Sequence, residues 1–137
     1  MSIILKAEME LEIPFHDVDA VKIVWHGNYY KYFEMARTAL FRSIDYDMHQ
    51  MLESEYGWPV VETHCRYLRP LVYGMKIRVV ATLMEYEHRV KIGYEIFEKT
   101  TGKRMCRGYT IQVAYDMQKK ETCLMAPKVL LEKLGIA

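Results

Sequence analysis

Cysteine is scarce in this sequence, three residues in 137, and only seven glycines and four prolines punctuate it. Cys65, Cys106 and Cys123 form an odd set with no close spacing along the chain, so the sequence offers neither a disulfide scaffold nor a metal-binding pattern, and reduced thiols are expected. There is no low-complexity linker and no internal repeat. No apolar run is long enough to span a bilayer, and Met1 leads into mixed polar and apolar residues without a basic start or a small-residue cleavage site, so a cytoplasmic protein is expected. An excess of either charge is also missing: 19 basic against 18 acidic residues leave +1, which argues against nucleic acid as a partner. What is present is apolar material, 51% of the chain, enough to bury a core in one domain over residues 1–137.

Leu5, Ala7, Met9, Leu11 and Ile13 alternate with Lys6, Glu8, Glu10 and Glu12, the period of a strand with one wet face, and Pro14 ends it. From there to Gly27 no helical period is sustained, and a structured loop with short extended pieces is expected. Asn28 stands where an N-cap belongs, and Tyr29, Phe33, Ala36, Leu40 and Ser43 recur on one face of a long amphipathic helix. A shorter helical piece over Met48 to Glu55 follows, before Gly57. Period two then returns in Val61 to Tyr67, Ile77 to Leu83, Val90 to Ile96 and Tyr109 to Tyr115, with hairpin turns at Glu85 to Arg89 and at Lys99 to Lys103, where Gly102 suits a positive φ. Pro127, Val129, Leu130, Leu134 and Gly135 outline a short C-terminal helix with Pro127 at its first position. The fold class is therefore α+β, an antiparallel sheet packed against one long helix, and its spare apolar area predicts a homodimer or a tetramer of paired dimers.

The loop Phe15 to Asn28 gathers two carboxylates, Asp17 and Asp19, and two histidines, His16 and His26, just ahead of a helix start. A helix N-terminus offers unpaired N–H groups that favour an oxygen gaining negative charge, and a carboxylate facing the same point can attack an acyl carbon or take a proton from water. Asp19 and Asp17 are both candidates, with turn formation as the structural alternative for each. The nitrogen and oxygen donors of the loop match no established metal spacing, so no metal is expected. Glu34 and Arg37, three apart on the helix, are expected to pair at the surface.

The run Asp17-Val18-Asp19, Ile23 to Tyr29 and Tyr32 to Arg37, with a second block Tyr67 to Gly74, resembles the 4-hydroxybenzoyl-CoA thioesterase-like hotdog family over nearly the whole chain. That resemblance implies a hotdog fold, an antiparallel sheet wrapped around one long central helix with a short C-terminal helix. It implies hydrolysis of an acyl-CoA or acyl-carrier-protein thioester, with no cofactor beyond the coenzyme A of the substrate. Residue by residue, Asp19 matches the catalytic carboxylate and His26 the position whose N–H faces the thioester oxygen, and Gly27, Asn28 and Tyr29 open the substrate-binding helix. Lys22 and Met75 depart from the pattern, which has glycine and an acidic residue at those places. Val60, Thr63 and Tyr67 are candidate acyl contacts, and Arg89, Lys91, Lys103 and Arg104 candidate phosphate contacts. Two alternatives stand beside hydrolysis. One is a dehydratase or hydratase pairing His26 with Glu34, whose family loop of His-Phe-Pro and further prolines is missing here; the other is a noncatalytic acyl-binding protein.

Overall fold

The computed structural model describes residues 5–136. Residues 1–4 and 137, within the span expected for the single domain, lie outside it. The alternating segment after Leu5 forms β1 (Lys6–Glu12), with Ala7, Met9 and Leu11 half-buried and their neighbours exposed. A single 3-10 turn, Phe15–Asp17, follows Pro14. Helix α1 (Asn28–Arg42) comes next, then α2 (Met48–Ser54), β2 (Tyr56–Gly57), β3 (Val60–Tyr67), β4 (Lys76–Glu85), β5 (Val90–Glu98), β6 (Arg104–Gln112), β7 (Tyr115–Asp116), β8 (Glu121–Thr122) and α3 (Lys128–Lys133). The long strands make one antiparallel sheet in the order β1-β4-β5-β6-β3, and β2, β7 and β8 make a small second sheet. No helix among the described residues is long and apolar enough to cross a membrane.

Helix α1 lies across one face of the large sheet because Tyr29, Tyr32, Phe33, Ala36 and Leu40 are all buried along one stripe. Each large side chain taken from water there contributes about 1.5–3 kcal/mol. Phe33 stacks flat on Tyr94 of β5, with centroids 4.4 Å apart. That approach needs Gly108 of β6, where a Cβ would stand 2.8 Å from the Phe33 ring and 2.3 Å from the His64 carbonyl oxygen. The outer edge is β3, exposed at every position but Cys65.

Several boundaries differ from expectation. The last long strand begins at Arg104, not near Tyr109, and stops at Gln112; Tyr115 belongs to the small sheet. Its first half escapes a period-two reading because Arg104 and Arg107 occupy the exposed face and Gly108 the close-packed one. The N-cap of α1 is Gly27, with Asn28 as the first helical residue, and Ser43 is exposed. Pro127 caps α3 and does not open it. Glu34 and Arg37 form no ion pair among the described residues. Cys65 and Cys106, far apart in sequence, meet across β3 and β6 with their Sγ atoms 3.3 Å apart.

Candidate active site

The loop ahead of α1 is a miniature hairpin. Val18 and Val24 bridge across it, the Asp19 N–H donates to the Ile23 carbonyl at 2.8 Å, and the Lys22 N–H donates to the Asp19 carbonyl at 2.9 Å. Lys22 closes the turn at φ 67, the left-handed conformation that a glycine adopts without strain. The lysine therefore stands in a backbone conformation that costs it strain. Lys22→Gly is expected to stabilise the fold by about 1 kcal/mol, read as a higher urea midpoint at unchanged slope. A lower midpoint would mean that the lysine side chain makes a contact worth more than the strain.

The two loop carboxylates have opposite surroundings. Asp17 is buried and accepts from the Lys31 ammonium and, at 2.7 Å, from the Tyr32 hydroxyl, both on α1. Burial pushes its carboxyl up, but the hydrogen bonds from Lys31 and Tyr32 and the Lys31 charge outweigh that, and its pKa lies below the ordinary value. Its backbone carbonyl also accepts from the Trp25 N–H at 3.1 Å and from the Asn28 amide at 2.9 Å. Asp17 thus ties the loop to the helix. Asp19 is exposed; its Oδ1 accepts from the Val21 N–H at 2.9 Å, and its Oδ2 has no partner among the described residues.

Asp19, His26 and Tyr29 line one cleft of about 290 Å³ together with Ile23, Val24 and the segment Tyr67 to Pro70. The chain carries that segment in from the far end of β3, and it is held there by the Tyr67 hydroxyl donating to the His26 carbonyl at 2.9 Å. Tyr67 also packs edge-on against Tyr29, whose hydroxyl burial raises to about 12, so it stays neutral and accepts from the Leu71 N–H. The turn before the helix uses the Asn28 and Tyr29 N–H groups internally, on the Trp25 and His26 carbonyls. Among the described residues the N–H groups of His26 and Gly27 have no acceptor. A Cβ at Gly27 would lie 2.3 Å from the Trp25 ring, so a side chain there would have to displace that ring. Gly27 and Asn28 stand behind the cleft and do not line it.

Sequence reasoning missed the cleft roles of Leu68, Arg69 and Pro70, which the second block could have signalled. Among the earlier candidates, Val60 and Thr63 lie farther back along β3, while Arg89 and Lys91 share Glu85 and Arg104 pairs with Glu95. Glu34 lines a different cavity, separate from His26, so the two do not pair within one chain. A larger groove of about 620 Å³ includes Met84, Gly93 and Arg107 but none of the loop's carboxylates or histidines. No cluster of three or more metal-ligating side chains occurs among the described residues.

A family model described as the thioesterase-like superfamily matches residues 13–134. Bacillus subtilis YneP, provisionally named an acyl-CoA thioesterase, is 28% identical over 108 residues, 73% of this chain and 78% of its own. A Synechocystis protein provisionally named an esterase is 29% identical over 129 residues, 93% of this chain and 77% of its own. The solved 4-hydroxybenzoyl-CoA thioesterase superposes with a TM-score of 0.82 at 18% identity, covering 94% of this chain and 98% of that one. A 1,4-dihydroxy-2-naphthoyl-CoA thioesterase from Synechocystis gives 0.84 at 16% identity, covering 95% and 96%. At such identities the superpositions speak to the fold, which is the hotdog arrangement of a sheet around a long helix. With the family model spanning nearly all of the described residues, the chain belongs to the thioesterase-like superfamily.

Proposed function

We propose that this protein hydrolyses acyl-CoA thioesters to a free acid and coenzyme A. The observation that carries the reading is proximity: Asp19, with a free Oδ2, and His26, with an unpartnered N–H, line one cleft at the start of α1, and the unpartnered N–H of Gly27 follows His26 directly in the chain. A thioester carbonyl oxygen directed at those N–H groups gains charge as its carbon is attacked, and fixed dipoles favour that change without reorganising. Asp19 either attacks the carbon, giving a mixed anhydride that water then opens, or takes the proton of an attacking water. Both routes end in the same acid and thiol. The His26 imidazole, exposed beside the cleft, adds a hydrogen bond to the substrate, Tyr29 forms a wall, and Asn28 holds the helix start to the loop through the Asp17 carbonyl. Arg69, which lines the cleft, brings positive charge suited to the coenzyme's phosphates.

The bare edge of β3 supports a homodimer. Antiparallel pairing of two such edges would satisfy the free backbone groups and cover Val60, Val61 and Tyr67, all large and exposed. The direct test is thiol release from short, long and aromatic acyl-CoAs, with acyl-carrier-protein thioesters as a second arm. Turnover of at least one acyl-CoA is expected, and the second arm decides whether a carrier protein also serves. No thiol release from any thioester would reject the activity.

A further inference from the structure

Two thiols that the hydrolysis does not use meet beside the strand end that carries Tyr67 into the cleft. Cys65 on β3 is half-buried against the core, Cys106 on β6 is fully buried, and their Sγ atoms stand 3.3 Å apart. The strand register makes them a diagonal pair, since Cys65 faces Gly108 and Tyr67 faces Cys106. Diagonal residues of antiparallel strands sit about 7–8 Å apart, just beyond the Cα separation of an ordinary disulfide, about 4.4–6.8 Å. Joining the sulfurs therefore requires β3 and β6 to shift against each other. That shift falls on the cleft wall. Tyr67, opposite Cys106, holds the His26 carbonyl and packs on Tyr29, while the N–H groups of Leu68 and Arg69 both donate at 3.0 Å to the carbonyl of Met105, the neighbour of Cys106.

We infer that Cys65 and Cys106 are an oxidation site for hydroperoxides, and that the disulfide they form switches the cleft off. The inference rests on the thioesterase reading above and adds its regulation. Cys65 is the attacking thiol because it is the more accessible of the two. The hydrogen bond from Cys106 also holds its pKa below the usual thiol value, although burial pushes it up, whereas that same bond and burial push the Cys106 thiol well up. The Cys65 thiolate attacks one oxygen of hydrogen peroxide, the O–O bond breaks, and the departing hydroxide takes up a proton and leaves as water. Cys65 is then a sulfenic acid. Cys106 attacks that sulfur, its proton and the displaced hydroxide leave as a second water, and the S–S bond forms. Two electrons pass from the pair of sulfurs to the peroxide, and an added thiol returns them by exchange.

The experiment treats the whole purified protein with hydrogen peroxide, removes the peroxide, and reads intact mass, disulfide-linked peptides and acyl-CoA turnover, before and after dithiothreitol. The expected product is a chain lighter by two hydrogens, with Cys65 and Cys106 in one linked peptide pair. Its kcat/KM should be lower by about tenfold or more, because displacement of a positioning group by a fraction of an ångström to an ångström is costly to turnover, and dithiothreitol should reverse both changes. Cys106 lines no part of the cleft, so Cys106→Ala is expected to turn over normally and to show no loss that dithiothreitol reverses. Peroxide-treated wild type without the Cys65–Cys106 bond overturns the inference whether or not the variant folds. So does a disulfide-bonded protein whose turnover is unchanged, or a reversible loss that persists in Cys106→Ala. Failure of the thioesterase reading shows separately, as no acyl-CoA turnover by the reduced protein; the switch then falls with it, while the linked peptides still report the oxidation site by themselves.

Discussion

Replacing Asp19 by Asn is expected to lower kcat/KM for acyl-CoA hydrolysis by about 10³-fold while leaving thermal unfolding unchanged. The separation of the two readouts follows from the surroundings of the residue. Asp19 is exposed, and the bond its Oδ1 accepts from the Val21 N–H can be accepted equally by an asparagine oxygen, so the turn survives. What disappears is the negative charge and the basicity of Oδ2. The loss should fall in kcat, with KM little altered, because the carboxylate acts on the reacting carbon or on water and not on the coenzyme. Asp17 cannot substitute for it: both of its oxygens are engaged by groups on α1, and it is buried. Thiol release by purified Asp19→Asn, with its melting curve beside that of the wild type, is the check. Turnover within a few-fold of wild type would move the chemistry to another residue.

The division of labour between the two carboxylates shows what a sequence discloses and what it does not. Density of chemistry in the loop was legible, because carboxylates and histidines before a helix start are visible in one dimension. Which aspartate faces solvent was not legible from spacing, since both precede the helix by similar distances; only the family resemblance distinguished them. The structure distinguishes them by burial, through Lys31 and Tyr32, and the buried Tyr32 lies beside the stripe that the spacing picked out. Strands with one buried face could be read in outline, as β1 was, because alternation records burial directly. The first half of β6 hid its period behind Arg104, Arg107 and Gly108. The helix cap misled for a local reason: the Asn28 amide bonds the Asp17 carbonyl and not its own helix, while the Trp25 ring occupies the space a side chain at Gly27 would need. The contribution of Tyr67 to Pro70 depends on how β3 is registered against β6, a long-range property that no local pattern encodes.

Asp17→Ala should cost about 2 kcal/mol of folding stability, most of it through Tyr32. The Tyr32 side chain is fully buried, and without the carboxylate its hydroxyl becomes a donor with no partner. Lys31 is nearly half exposed and can turn to water, so its share of the loss is small. The backbone bonds from Trp25 and Asn28 to the Asp17 carbonyl do not need the side chain and persist. This account requires coupling: adding Tyr32→Phe to Asp17→Ala should restore about 1 kcal/mol, because the stranded hydroxyl is removed. It also fixes the sign of the pH dependence. The folded carboxyl lies below its ordinary value of 3.8, so its contribution is fully present above that value and disappears as pH falls through the lower, folded one. The gap in stability between wild type and Asp17→Ala should therefore be constant near neutrality and narrow only in acid. Urea titrations of the two single variants and the double variant at neutral and acid pH measure all of this. Additive losses in the double variant, or a gap that widens in acid, would show that Asp17 holds the loop by some means other than its bond to Tyr32.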